Sequence, residues 1–381
     1  MLLYKFNMKE IITRIDYTPY KLRHWIDIDK DNIQPIVKKV LSNNPRATKY
    51  LENNMEIIDW IFLSSNQNAI YLLEKNLDKI DWSMLSRNLN AIHILEKNID
   101  KIDWSMLSRN PNAIHILEKN IDNIDWKTLS ANPNAVNILE NNLDKIDWSM
   151  ISCNPNAIHI LEKNVDKIDW KTLSENPNAV NLLINNQEKI NIYTLAKNEN
   201  ILKILNNVNY CNNRIEFYKN RQGFWKYLSH NQFAIPLLEE NIDKIDWQML
   251  SGNPNAIHLL EQNQDKIDWR MLSSNQNAIK LLEKNQDKIV WTLLCQNPLG
   301  YELLKTAVLK NFLPQYVIYN NPNIFTIDYQ ALKKRTEIFE EELMQKYYHP
   351  TRLFNHLEKY NYDIGDDTYY ENGDYIIEIS V

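Results

Sequence analysis

The stretch Asp103–Ile124, DWSMLSRNPNAIHILEKNIDNI, differs from the 22 residues before it, Asp81–Ile102, at two positions: Leu89 against Pro111 and Lys101 against Asn123. Ten of the eleven tryptophans keep the same period. They are Trp60, Trp82, Trp104, Trp126, Trp148 and Trp170, then, after a break, Trp225, Trp247, Trp269 and Trp291. Self-similarity at a fixed period of this length marks stacked supersecondary units. The unit reads D-W-x-x-L-S-x-N-P-N-A-I-x-[IL]-L-E-x-N-x-D-K-I.

Its local signals are helical. Asp103 precedes Trp104 as an N-cap, its carboxylate able to accept from free first-turn N–H groups, and Trp104 with Leu107 marks one face of a short helix ending near Asn110. Asn110 followed by Pro111 is a second start signal, because Asn caps well and Pro fits the first helical position, where its missing N–H costs nothing. Ala113, Ile114, Ile116 and Leu117 then form an apolar stripe at helical spacing, and Asn120 is suited to the left-handed conformation that ends a helix. Helices this short are unstable alone, since nucleation costs more than so few hydrogen bonds return. They must stack, with the Trp, Leu and Ile side chains of one unit packed on those of the next.

The expected fold class is therefore all-α: an α-solenoid of about twelve 22-residue helix-turn-helix repeats with N- and C-terminal capping segments. With helices roughly 8 to 10 Å apart it would be a curved rod on the order of 100 Å along its path. Alanines on the grid, from Ala69 through Ala113 to Ala278, should mark close helix approach. The β-branched runs alternating with long helices that a doubly wound sheet or TIM barrel needs are not seen.

The periodicity divides the chain into an N-terminal cap (1–37, with Trp25 over the first repeat), repeat block one (38–199), an interruption (200–224), repeat block two (225–305), a C-terminal helical cap (306–362) and an acidic tail (363–381). The interruption holds an eleven-residue excess, half a unit. It carries Tyr210, Arg214, Phe217, Tyr218, Lys219 and Arg221, an aromatic and basic cluster unlike the rest. The tail has six acidic residues and no basic one.

Composition narrows the function. Five glycines in 381 residues disfavour Gly-rich phosphate loops and dinucleotide fingerprints. Lys and Arg, 43 in all, are interleaved with 49 Asp and Glu, so no basic field is evident for nucleic acid or an anionic membrane. Cys153, Cys211 and Cys295 are scattered and odd in number, which suggests reduced thiols rather than a disulfide frame. The N-terminal residues lack an apolar core of signal-peptide length, and no apolar run is long enough to span a membrane. A soluble protein acting in the cytoplasm is expected.

Candidate chemistry is sparse. No nucleophile motif, zinc-protease helix or P-loop is present, and carboxylate pairs such as Asp103 with Glu118 recur identically, whereas a catalytic pair needs one special environment. No enzyme activity, cofactor or metal is expected. His93, His115, His159 and His258 share one outward position of the second helix, and with Tyr71 and Lys280 they form a surface ladder. Rungs about 10 Å apart, with no carboxylate in the ladder, do not make a zinc site. The recurrent asparagines, such as Asn88, Asn110 and Asn132, are expected to cap helices and satisfy turn backbone groups.

The unit "IDWSMLSRNPNAIHILEKNIDNIDW" closely resembles the tandem repeats of a protein family encoded by giant DNA viruses of amoebae, the mimivirus and klosneuvirus relatives. The lead-in "YKLRHWIDIDK" resembles that family's opening, and "EEELMQKYYHPTRLFNHLE" its closing helical segment. The resemblance implies a viral origin and an array grown by duplication; it carries over no catalytic residue. The interruption and the acidic tail depart from the pattern.

The function expected is a non-catalytic repeat scaffold for protein–protein interaction in the infected host cell, its partners one or more host or viral proteins, with nucleic acid disfavoured and no membrane. The ladder Tyr71, His93, His115, His159, His258 and Lys280 is the first candidate binding surface. The cluster Tyr210, Arg214, Tyr218 and Arg221 is the second. A virion or virus-factory structural protein and an RNA-associated scaffold are the alternatives.

Overall fold

The structure, a computed structural model, describes residues 19–26, 28, 33–207 and 222–334. Residues 20–326 make one compact unit. Tyr210, Arg214, Tyr218 and Arg221, most of the C-terminal cap and the acidic tail lie outside the described residues.

One repeat explains the rest. Helix Trp104–Ser108 starts at Asp103, whose backbone is extended and whose Oδ1 accepts from the Met106 N–H at 3.1 Å. At Asn110 the chain turns, its Oδ1 accepting from the Asn112 N–H at 3.0 Å. The second helix, Ile114–Lys119, follows. Asn120 closes it differently from the expectation: φ is −133° rather than positive, and its Nδ2 donates to the Ile116 carbonyl at 2.7 Å, so a side-chain amide satisfies the helix end. A 3-10 turn, Ile121–Asn123, then leads to the next cap, Asp125. Each layer is thus two short helices and a 3-10 turn.

The layers are welded by four buried side-chain positions. Leu107 and Ala113, like their equivalents Leu129 and Ala135, are fully buried, and the Cβ-only alanines let the second helix press on its neighbours. Buried Ser108 donates from Oγ to the Trp104 carbonyl at 2.8 Å and accepts from the Asp125 N–H of the next layer at 3.1 Å. Buried Asn132 donates from Nδ2 to the carbonyls of Ser108 (3.0 Å) and Asn110 (3.3 Å) in the layer before. These asparagines therefore tie layer to layer, because each turn leaves carbonyls that need a donor. Cys295 stands in the serine place of its layer; burial pushes its thiol pKa up to about 12.

The tryptophans are not the core residues the sequence suggested. Trp225 is buried, but Trp60, Trp82, Trp104, Trp126, Trp148, Trp170, Trp247, Trp269 and Trp291 are half-buried and pack against the edge of the core. At the first position of its helix, a Trp lies on the layer's rim. A lysine from the following 3-10 turn covers its face: Lys145 Nζ is 4.6 Å from the Trp126 ring centre, and seven equivalent pairs lie at 4.6 to 5.5 Å.

The interruption does not break the stack. Helix Ile201–Asn207 completes one layer and helix Gln222–His230 opens the next. Asn231 reaches back over 35 and 33 residues to the carbonyls of Ala196 and Asn198, both at 2.9 Å, as its counterparts do over 24 and 22.

Nor is the array an open rod. Among the described residues thirteen layers follow one another, the last built from the 3-10 turns Gln315–Asn320 and Pro322–Ile324 inside the segment read as a C-terminal cap. The turn Gln315–Asn320 packs against the first layer's helix Pro35–Asn43, which also packs on Trp60–Ser65. Strand β1 (Tyr20–Leu22) pairs with strand β2 (Phe325–Ile327), and the Arg23 N–H donates to the Ile324 carbonyl at 3.1 Å. Trp25 donates from Nε1 to the Tyr301 hydroxyl at 3.0 Å, Arg23 from Nε to the Asn323 carbonyl at 2.9 Å, and the Tyr50 and Phe325 rings lie 5.8 Å apart. The two ends cap each other, and the solenoid closes into a ring.

The first helices form the tighter row. The short side chains of Thr128 and Thr194 reach from Oγ1 to the backbone carbonyls of Ser105 and Lys171 in the preceding layer, at 3.3 and 2.7 Å. Second helices are bridged through pairs of long side chains such as His115 and Glu96. In a closed ring the closer-spaced row is the one nearer the axis, so first helices line the inside and second helices the outside. Thirteen helices about 9 Å apart set the inner row at a radius of about 19 Å, and helix side chains extending about 5 Å inward leave an opening roughly 28 Å across.

Candidate functional site: the outer ladder

The second-helix ladder proposed from sequence is present and solvent-exposed, with His93, His115, His159 and His258 each a little under half exposed. Each histidine occupies the second residue of its helix, Ile92–Glu96, Ile114–Lys119, Ile158–Glu162 or Ile257–Gln262.

The expectation that no carboxylate joins the ladder is overturned. Nε2 of His93 lies 2.6 Å from Glu74 Oε1, and His115, His159 and His258 lie 2.7 Å from Glu96, Glu140 and Glu239. The partner is always nineteen residues back, at the fifth residue of the preceding second helix. A helix places residues three apart on one face, so the His93 rung offers His93 and Glu96 side by side and passes Glu96 to His115, while the glutamates that meet His93, His159 and His258 come from layers with Tyr71, Asn137 and Pro236 in the histidine place. That spacing of nineteen was the signal in the sequence; it was missed because the ladder was read one position at a time. Among the described residues no group of three His, Cys, Asp or Glu is placed to hold a metal ion.

Tyr71 takes the histidine place one layer earlier and bonds to the Thr48 carbonyl (3.4 Å) and Glu52 Oε2 (3.3 Å). Glu52 also pairs with Lys49 at 2.8 Å and Lys75 at 3.5 Å; the hydrogen bond from Lys49 holds its carboxyl below the usual carboxylate range. Lys280 sits at the same position of helix Ile279–Lys284, opposite the equivalent carboxylate Glu261, without an ion pair between them. The sequence reading names the second-helix residues of these contacts and omits their carboxylate partners Glu52, Glu74, Glu96, Glu140 and Glu239.

Beside the ladder runs a row of exposed apolar side chains from the 3-10 turns: Leu77, Ile99, Ile121, Leu143 and, beyond the interruption, Ile242. Outward-facing charge and apolar surface therefore alternate at the layer period. No helix among the described residues is long and apolar enough to cross a membrane. Compared with protein-family models, with curated proteins and with solved structures, the chain matches none.

Proposed function

We propose that this chain is a non-catalytic scaffold, a closed helical ring whose outer row of second helices holds a protein partner. The observation that carries this reading is the His–Glu ladder. Exposed side-chain pairs of this kind contribute little to stability, typically about 0 to 1 kcal/mol. Four layers nevertheless repeat the same pair at the same distance, beside an apolar row, which gives a partner ordered polar contacts flanking hydrophobic ones. Following the resemblance to giant-virus repeat proteins, the partner is a host or viral protein in the cytoplasm or virus factory of an infected cell.

The test is a comparison rather than a single capture. Tagged full-length protein and the variant H93A/H115A/H159A/H258A are each used to retrieve proteins from infected amoebae. A partner retained by the parent chain and lost with the variant, with circular dichroism and melting unchanged, is the expected result. The same partners bound to both chains would remove the ladder from consideration.

A further inference from the structure

Charge is interleaved along the sequence, but the fold sorts it. The first helices and their ends contribute Arg87, Arg109, Lys127, Lys171, Lys226 and Arg270 as exposed cations, none in an ion pair with a described residue. Among the described residues of these helices the one exposed acid, Glu175, is taken up by Lys197 at 3.5 Å. The cap aspartates along the row's leading edge accept first-turn N–H groups, and most stand two residues after a lysine seated on a tryptophan, as Lys145 precedes Asp147, so that edge is close to neutral. The acidic excess of the chain lies on the second helices and 3-10 turns, at residues such as Glu96 and Asp100. An acidic protein thus carries a basic inner face. The same row exposes two aromatic rings, Tyr227 (41%) and Tyr316 (55%), and Lys197 Nζ lies 5.2 Å from the centre of the Tyr227 ring.

We propose that the inner row of first helices binds a single strand of nucleic acid, its phosphates on the six cations and its bases against Tyr227 and Tyr316. Unpaired cations distributed over six layers suit a ligand that is charged along its whole length and needs no register. Exposed aromatic rings beside cations are how sequence-tolerant single-strand binders add stacking to phosphate attraction. The opening, roughly 28 Å across, admits such a strand. This site is on the opposite side of the helical layers from the protein-binding ladder and does not depend on it.

The experiment is fluorescence anisotropy of a labelled oligothymidylate, about 30 nucleotides long, titrated with the full-length chain. Six phosphate contacts predict that affinity falls on the order of a hundredfold between about 50 and 200 mM salt. The variant R87Q/R109Q/K127Q/K171Q/K226Q/R270Q should lose most of the binding and most of the salt dependence. The outer-face variant K97Q/K119Q/K163Q/K284Q should retain both. If the sixfold variant fails to fold by circular dichroism, the triple R87Q/R109Q/K127Q replaces it and should lose about half the salt slope. Absence of binding at low salt, or equal binding by parent and inner-face variant, overturns the proposal. Displacement of the oligonucleotide by polyglutamate at matched charge concentration also overturns it, in favour of an acidic protein segment.

Discussion

The guanidinium of Arg46, in the first layer, donates to the side-chain oxygen of Asn323, in the thirteenth. Arg46 stands where later layers carry Asn68, Asn90 and Asn112, whose amides donate to the Pro45, Gln67 and Leu89 carbonyls of the layer before, at 3.0 to 3.1 Å. Against the first layer, the thirteenth therefore takes the place of a preceding repeat. Linear repeat arrays need terminal units with a polar outer face. A ring has no terminal face, so every layer buries both of its sides.

The seam differs from other interfaces in joining residues far apart in sequence, through a strand pair, the packing of Gln315–Asn320 on Pro35–Asn43 and side-chain bonds such as that of Trp25. Trp25→Ala removes the indole bond to the Tyr301 hydroxyl together with the ring packing at that point. The seam should open, raising the radius of gyration measured by small-angle X-ray scattering under native conditions. Trp126→Ala, a half-buried Trp at an unbroken interface, should instead cost about 2 to 3 kcal/mol in urea unfolding, at or below the low end for buried Trp truncation, with the radius unchanged. A closed, unaltered ring in the Trp25 variant would count against the seam being the weak joint.

The buried asparagine ladder should be more costly to disturb than any surface pair. Asn132→Ala removes the donor to the Ser108 and Asn110 carbonyls and leaves both without it in a site closed to water. Two lost hydrogen bonds and the desolvated acceptors amount to about 3 kcal/mol. Asn132→Asp should be worse, since a carboxylate placed against two carbonyl oxygens can donate nothing. Urea midpoints measure both, and an alanine variant within about 0.5 kcal/mol of the parent would remove the ladder from the account of stability.

Much of this was legible in the chain. The period of 22, the two helices per unit, the cap at Asp103 and the closely packed Ala113 follow from local rules that need no tertiary information. The closure was not. It depends on small angles accumulated over thirteen layers and on Trp25 finding Tyr301, 276 residues away. Trp104 and its equivalents were misplaced because size and hydrophobicity argue for a core, while a helix-start position and a lysine nineteen residues on determine a rim. The basic inner face was hidden for a related reason: Lys127 and Asp122 are neighbours in sequence, but one stands on a first helix and the other on a 3-10 turn.

Acid should loosen the caps. Burial opposes ionisation of Asp103 and Asp169, yet hydrogen bonds from the Ser83 hydroxyl and Met106 N–H to the first, and from the Thr172 N–H and Ser149 hydroxyl to the second, outweigh it and hold both below the usual carboxylate range. A group whose pKa is depressed on folding contributes stability above its unfolded value, about 3.9 for Asp, and that contribution disappears as pH falls through the folded value. Urea midpoints should therefore drop below about pH 4. In D103N/D169N, where an amide caps without a charge, the fall between neutral pH and pH 3 should be smaller; an identical fall would show that these two caps take no part in it.

The near-identical repeats contain their own control. Lys101 covers the Trp82 ring at 4.9 Å, but the next copy has Asn123 in place of lysine, and Trp104 lacks a cationic lid. The surrounding 22 residues are otherwise so alike that Asn123→Lys transplants one interaction into a backbone that already accommodates it. A cation over an indole ring at a half-exposed site is worth about 0.5 to 1 kcal/mol, and the substitution should stabilise the chain by that amount in urea unfolding at low salt. Lys145→Met, which keeps the aliphatic stem but not the charge over Trp126, should destabilise by a similar amount. If both variants unfold at the parent's midpoint, the lysines are solvated side chains resting near the rings, and the rim tryptophans are held by their edge contacts with the core alone.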